Sequence, residues 1–464
     1  MQKWENIPIG KRLYDNTDET SITRALAASE NSFITQAKGH TRFPGLAEFA
    51  TLSGVAPTYL FGWQDDLIAV SDGRCYVTDK NGNSKDVTSV PISGGNRVVF
   101  SDTEGAILMA AGGPIIKYAG VKTEGLSDDA PDSTHVGYVD SYVVALENNS
   151  GRFLHSNAGV PDKWDALDIF SANAQPDNLN SLIVTDYREL ILTGRSSIEQ
   201  FERLANGDTP FYRRFALGEG VYAPYTMTFA DNAVWAINKD WEFTRISGQT
   251  STPGSNDIGY RLEKVNDWSG AWADKVHVKG HKFIILQIPN AENIYETKGL
   301  TYIFDYSQRI WSTLYGWDEV LGLPDRWPGW SCFRIWGRNF VGGNGRVYEL
   351  KDDVYDNAGQ TQRMMGRTGH ISDYEVRVDN LRMKIKRGVG TPSKESFISI
   401  RCNRDNQGFG RWVRKGLGKH GKRNMTLEFG GFGSGHSFQF EWMVTDPCQV
   451  ELHKLDAQMT RLGQ

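Results

Sequence analysis

The chain has 464 residues, 51 Lys and Arg against 56 Asp and Glu for a net charge of −5, and four cysteines. That balance excludes the chain-wide basic excess typical of nucleic-acid or acidic-membrane binders. Cys75, Cys332, Cys402 and Cys448 stand too far apart for a disulfide framework or a zinc knuckle. The 49 glycines, with 14 Trp, 18 Tyr and 22 Phe, suit many short strands joined by tight turns better than long helices.

From the N-terminus, MQKWENIPIGKRLYDN carries no apolar leader core, and no later stretch approaches the roughly 18 apolar residues of a membrane span. The expectation is a soluble protein folded in a reducing cytoplasm, with no membrane insertion and no cofactor. The best helix candidates are short: Thr20 to Ala28, and Ser196 to Leu204, where Ile198 and Phe201 could equally continue a strand.

Between about residue 59 and residue 360 one unit recurs: a β-rich stretch, a polar turn, a short apolar run, another turn and a third strand. Seven copies are legible, starting at Thr58, Asn96, His135, Ser181, Thr226, Lys275 and Cys332. Their separations match the roughly 40 to 50 residues of a four-stranded propeller blade, and the runs lack helical periodicity. Blades packed in a closed ring bury sheet faces that one sheet would leave exposed.

After Arg363 the pattern changes to longer alternating strands, from VRVDNLRMKIKR through ESFISIRCNRD, GRWVRKGLG, RNMTLEFGGFG and HSFQFEWMVTD to QVELHKLDAQM, which read as a sandwich or small barrel. The expected fold is thus all-β, a six- or seven-bladed β-propeller with an additional β-sandwich-like platform domain. The expected divisions are residues 1–55 as an N-terminal segment contributing to the platform, 56–362 as the propeller and 363–464 as the platform. Charge divides along the same line. Residues 363–464 hold 18 Lys and Arg against 10 Asp and Glu, and the rest 33 against 46.

Candidate chemistry is sparse. The string GGFGSGHS at Gly430 to Ser437 lacks the helix and Lys of a phosphate loop and reads as a hairpin turn. His277 and His281 sit four apart on a strand and its turn, too far apart to share a metal. The acidic pairs Asp65 and Asp66, Asp128 and Asp129, and Asp352 and Asp353 have the local hydrogen-bonding role of Asp in turns; a glycosidase needs two carboxylates converging in a cleft. Arg401, Arg404, Arg411, Arg414, Lys415, Lys419, Lys422 and Arg423 interleave with Phe409 and Trp412. This is the composition of a phosphate-backbone contact, and equally of a solvated basic hairpin or a docking face for an acidic partner.

This C-terminal segment resembles the tail nozzle family of short-tailed bacteriophages, the packaged-DNA stabilisation or tail accessory proteins. The matching residues are MKIKRGVGTP at Met383 to Pro392, SIRCNRDNQGFGRW at Ser399 to Trp412, KGLGKHGKR at Lys415 to Arg423 and VTDPCQVEL at Val444 to Leu452. RFPGLAEF at Arg42 to Phe49, LIAVSDGRCYVTDKNG at Leu67 to Gly82 and the stretch Ser197 to Thr226 are similar to its N-terminal and central parts, so the resemblance covers nearly the whole chain. It departs at Asn403 to Gly408, where relatives are often more acidic.

The resemblance implies a non-enzymatic virion protein of the short tail. Six copies would form a ring below the portal and its adaptor (the head-tail connector ring), assembled in the host cytoplasm. Tail needle or plug and tail fibre or tailspike proteins would be neighbours, and genomic DNA would pass through the lumen. The alternative reading is a propeller that binds or hydrolyses carbohydrate, and a third is a general interaction scaffold.

Overall fold

A computed structural model describes residues 3–7, 9, 26–172, 174–204, 210–371, 374–390, 395–418 and 424–462. Six four-stranded antiparallel blades follow one another in simple up-and-down order. They begin with the inner strands Thr58–Trp63, Val99–Asp102, Val136–Val139, Leu179–Val184, Thr228–Ala230 and Trp272–Val278. The seventh is built differently. Ser331–Ile335, Arg338–Gly342 and Arg346–Lys351 supply three strands, and Gly45–Thr51, from the other end of the chain, adds the outermost.

The ring therefore has seven blades and closes by pairing two distant segments within the last one, which then packs against the first. The strand 45–51 belongs to the propeller, so the expected boundary at residue 56 does not hold for it. Gly45 begins that strand where a Cβ would lie 2.1 Å from the Asp356 carbonyl oxygen, so a larger residue could not enter.

Blades cohere because each presents apolar residues on both faces. Ile68, Val70 and Cys75 of blade 1 pack against Ile107, Met109 and Tyr118 of blade 2, and Val144 and Phe153 of blade 3 against Leu190, Leu192 and Phe201 of blade 4. Each fully buried side chain of this size contributes about 1.5–3 kcal/mol. Two-sided burial also explains Ser196 to Leu204: Ile198, Glu199, Gln200 and Phe201 are all buried in the strand Ile198–Arg203, not in a helix. The other helix candidate lies mostly outside the described residues and ends in the strand Leu26–Glu30.

The platform is a sandwich. One sheet runs Ser32–Ile34, His40–Arg42, Cys448–Arg461, Val376–Gly390 and Asn424–Gly435, with Lys3–Ile7 also paired to Cys448–Arg461. The other runs Leu26–Glu30, Met364–Thr368, Phe438–Val444, Phe397–Arg404 and Val413–Gly416. Leu381, Met383, Phe429 and Leu455 from the first face Ile398, Ile400, Phe440 and Trp442 from the second. Most of GGFGSGHS continues the strand Asn424–Gly435, and only its last two residues form the turn.

The second sheet does not stop at the platform. Leu26–Glu30 pairs in parallel with Ile310–Thr313, the outer strand of blade 6, through the one register pair Glu30 and Thr313, so nine strands link the propeller's inner wall to the platform's far edge. At the seam the buried Glu30 carboxylate accepts hydrogen bonds from Tyr295 and Arg363, and Thr313 Oγ1 donates to the Ser29 carbonyl at 3.0 Å. Among the described residues no helix is long and apolar enough to cross a membrane.

Candidate functional site

The seven inner strands converge on a central channel of about 770 Å³ lined by residues of every blade. At the face where the inner strands begin, Arg97 closes it. From the start of blade 2 its guanidinium crosses to blade 6, donating to Asp274 Oδ2 at 2.9 Å, and to blade 7, donating to the Trp330 carbonyl. It lies over the rings of Tyr59 and Trp272, at 5.3 and 4.9 Å. Beside it His135 stacks on Tyr225 at 5.1 Å between centroids. Further in, Phe61 contacts Phe100 at 5.5 Å and Phe333 at 5.0 Å, an apolar layer across blades 7, 1 and 2.

A hydrolase would need free, convergent carboxylates here. Asp102, Asp186 and Asp274 line the channel; of these Asp274 is held by Arg97 and by the Cys332 N–H at 2.8 Å, and burial raises its pKa, an effect that Arg97 opposes. His277 and His281 point to different partners. His277 Nδ1 lies 2.7 Å from Arg334 at the channel, and His281 Nδ1 lies 2.7 Å from the buried Asp305 beneath Phe33. Among the described residues no group of three or more His, Cys, Asp or Glu is placed to hold a metal.

Two buried imidazoles set an acid limit. His40, against Trp442 and Ser29, and His135, in the channel seal, are both pulled down to about 3 by burial. A folded pKa below the unfolded value of about 6.5 means the unfolded chain takes up protons first. The stability these groups supply is complete above pH 6.5 and is lost as pH falls from there toward 3. At pH 5 the loss is about 2 kcal/mol per histidine. The urea midpoint should therefore drop between pH 7 and pH 5. The double variant His40→Gln, His135→Gln, whatever its absolute stability, should lose most of that slope; an unchanged slope would refute the assignment.

Three described residues of the basic segment, Arg401, Arg414 and Lys415, contact the platform, while Arg404, Arg411, Arg414 and Lys415 are exposed. Arg401 and Arg367 both bind Glu441, which is fully buried, and both lie over Phe409, at 4.7 and 4.9 Å; Arg401 also covers Trp412 at 4.4 Å. Arg414 stacks on Phe397 at 3.7 Å and lies 4.0 Å from Asp446, and Lys415 donates to the Glu428 carbonyl. Arg404 and Arg411 complete the described part, while Lys419, Lys422 and Arg423 lie outside the described residues. Aromatic spacing was the sequence signal here, and it marks cation–π stacking inside the sandwich edge. The Arg97–Asp274 and Glu30–Arg363 pairs, 177 and 333 residues apart, left no local signal.

Comparison with known proteins finds a family model, described as the β-propeller of bacteriophage P22 Gp10, matching residues 19–355. No curated protein matches in sequence. Among solved structures, the extracellular domain of a putative one-component system from B. thetaiotaomicron aligns at TM-score 0.45 and 9% identity, over 67% of this chain and 40% of that one. The extracellular domain of a putative hybrid two-component system from the same organism aligns at 0.45 and 9%, over 97% and 66%. Virginiamycin B lyase from Staphylococcus aureus aligns at 0.40 and 10%, over 64% and 96%. Likeness at this level carries no argument about function.

Proposed function

The chain belongs to the phage-stabilisation family of the bacteriophage P22 Gp10 β-propeller, and from that premise we propose that it is a structural tail protein of a short-tailed phage. In this reading copies of it form a six-fold nozzle ring below the portal and its adaptor, close the head, retain the packaged DNA and frame its exit. Needle or plug and fibre or tailspike proteins would attach to the same ring.

The observation that carries this reading beyond family membership is the nine-stranded sheet that joins propeller and platform through the Glu30 and Thr313 pair. Strand hydrogen bonds, unlike a domain interface, do not slide, so a load on one part reaches the other. The sealed channel adds a constraint on where DNA travels. The Arg97 side chain and the Phe61, Phe100 and Phe333 rings cross the channel, so in this reading the conduit for DNA lies between copies of the chain. The excess of Lys and Arg in residues 363–464 against the acidic remainder suits head-to-tail docking of unlike surfaces.

The test is imaging of purified protein mixed with DNA-filled, portal-bearing capsids that lack a nozzle. A six-fold ring at the portal vertex with genome retained is the expected outcome. Protein that stays free, with the vertex bare, would refute the reading.

A further inference from the structure

On the face where the inner strands begin, two clefts open beside the sealed channel. One, of about 590 Å³, is walled by Asn96, Asn148, Asn149, Asn178, Asp177 and Arg195; the other, of about 400 Å³, by Tyr222, Trp241, Trp268, Asp267 and again Arg195. They share Arg195, Pro224 and Tyr225, so amides lie on one side of the junction and aromatic rings on the other.

The aromatic side is built, not incidental. Trp241 sits at φ +60 and is 40% exposed. A bulky residue in the left-handed region costs about 1–3 kcal/mol unless its surroundings impose it. Here Asn238 does so: its side-chain oxygen accepts the N–H groups of Asp240 and Glu242, each at 2.9 Å, which fixes the turn on both sides of the ring. Tyr222 lies between Trp241 and Trp268, at 6.3 and 6.2 Å between centroids, and Arg195 caps it at 5.5 Å. On the amide side, Asn148 Nδ2 donates to the Gly112 carbonyl at 2.8 Å while its Oδ1 is enclosed without a partner.

We propose that this double cleft binds a neutral glycan chain. A pyranose presents C–H groups on one face and hydroxyls at its edges. The C–H face suits the negative π-face of Trp241 or Trp268, and the hydroxyls suit carboxamides, which both donate and accept. Charge argues against a nucleic acid: Glu147, Asp177 and Asp267 face the clefts against Arg195 alone, the wrong sign for a polyphosphate. The same carboxylates argue against cleavage. Glu147 is bound by Arg152, Asp177 by Ser196 and Ser197, and Asp267 by Ser269, whose side chain and N–H, the latter at 2.8 Å, hold its pKa down. The site holds sugar and does not hydrolyse it.

The inference stands apart from the tail reading and is tested apart from it. Labelled full-length protein is applied to an array of bacterial surface polysaccharides, and the glycans retained are rerun in affinity gels with Trp241→Ala, Trp268→Ala and Arg195→Ala proteins. Retention of at least one neutral glycan, weakened about tenfold or more by Trp241→Ala as for a central aromatic anchor and also weakened by Trp268→Ala and Arg195→Ala, with thermal stability unchanged in the exposed Trp241→Ala variant and no new reducing ends, is the expected result. No retention, retention indifferent to Trp241→Ala, or release of reducing ends would overturn the proposal. None of these outcomes bears on docking at the portal vertex.

Discussion

Replacing Arg97 with methionine should destabilise the propeller by about 3 kcal/mol, the low end for breaking a buried ion pair, because both side chains keep some contact with the channel. The cause is less the lost attraction than what remains: Asp274 is left in a protein-lined wall with one N–H donor, from Cys332, and must either stand as an unpaired carboxylate or take up a proton. The Trp330 carbonyl loses its donor, and Tyr59 and Trp272 lose the cation between them. Adding Asp274→Asn should restore most of the loss, because the amide still accepts the Cys332 N–H and leaves no uncompensated charge. Urea unfolding of the two single variants and the double variant gives the coupling directly. If the double variant is no more stable than Arg97→Met, the seal is held by ring packing and the ion pair is incidental.

The inner three strands of each blade were legible because they are apolar, regularly spaced and bounded by turns, as in LIAV of Leu67 to Val70 and AVWAI of Ala233 to Ile237. The fourth strands of blades 1, 2 and 5 were not. Ser84–Asp86, Thr123–Gly125 and Thr250–Pro253 are short, polar and largely exposed, so the alternation that marks a half-buried strand is missing. Ring closure was hidden for another reason: Gly45–Thr51 finds its partner about 300 residues away, and a single sequence carries no signal of such a pairing. Blade number depended on that strand, which turns three strands after Ser331 into a seventh blade.

The candidate site was legible only in composition. Arg401, Phe409 and Trp412 were singled out from composition and the structure brings them together, while Glu441, forty residues on, binds the Arg401 guanidinium. The Trp241 cleft was missed because its residues come from separate blades and loops. The one available local sign was a Trp in an Asn-Lys-Asp-Trp turn, where a small or polar residue is usual.

Replacement of Arg42 by methionine should cost about 3–5 kcal/mol, and the platform should feel it first. Arg42 is fully buried where the N-terminal segment, the end of the propeller and the last platform strands meet. It donates to the Gln362 carbonyl and Oε1, and to the carbonyls of Asp446 and Cys448. Burial pulls its pKa down to about 10, so it stays charged at neutral pH and stands as a fixed cation among four acceptors. Methionine fills much of the same volume, so the loss comes from the acceptors and not from a cavity. Arg42→Lys should fall between the two, since a single ammonium cannot reach all four acceptors from one position. Hydrogen exchange resolves the claim: faster exchange in Cys448–Arg461 and Val376–Gly390, with blades 2 to 5 unchanged, is expected for Arg42→Met. Uniform acceleration across both parts would mean that propeller and platform unfold as one unit through the nine-stranded sheet, and that Arg42 does not separately hold the platform in place.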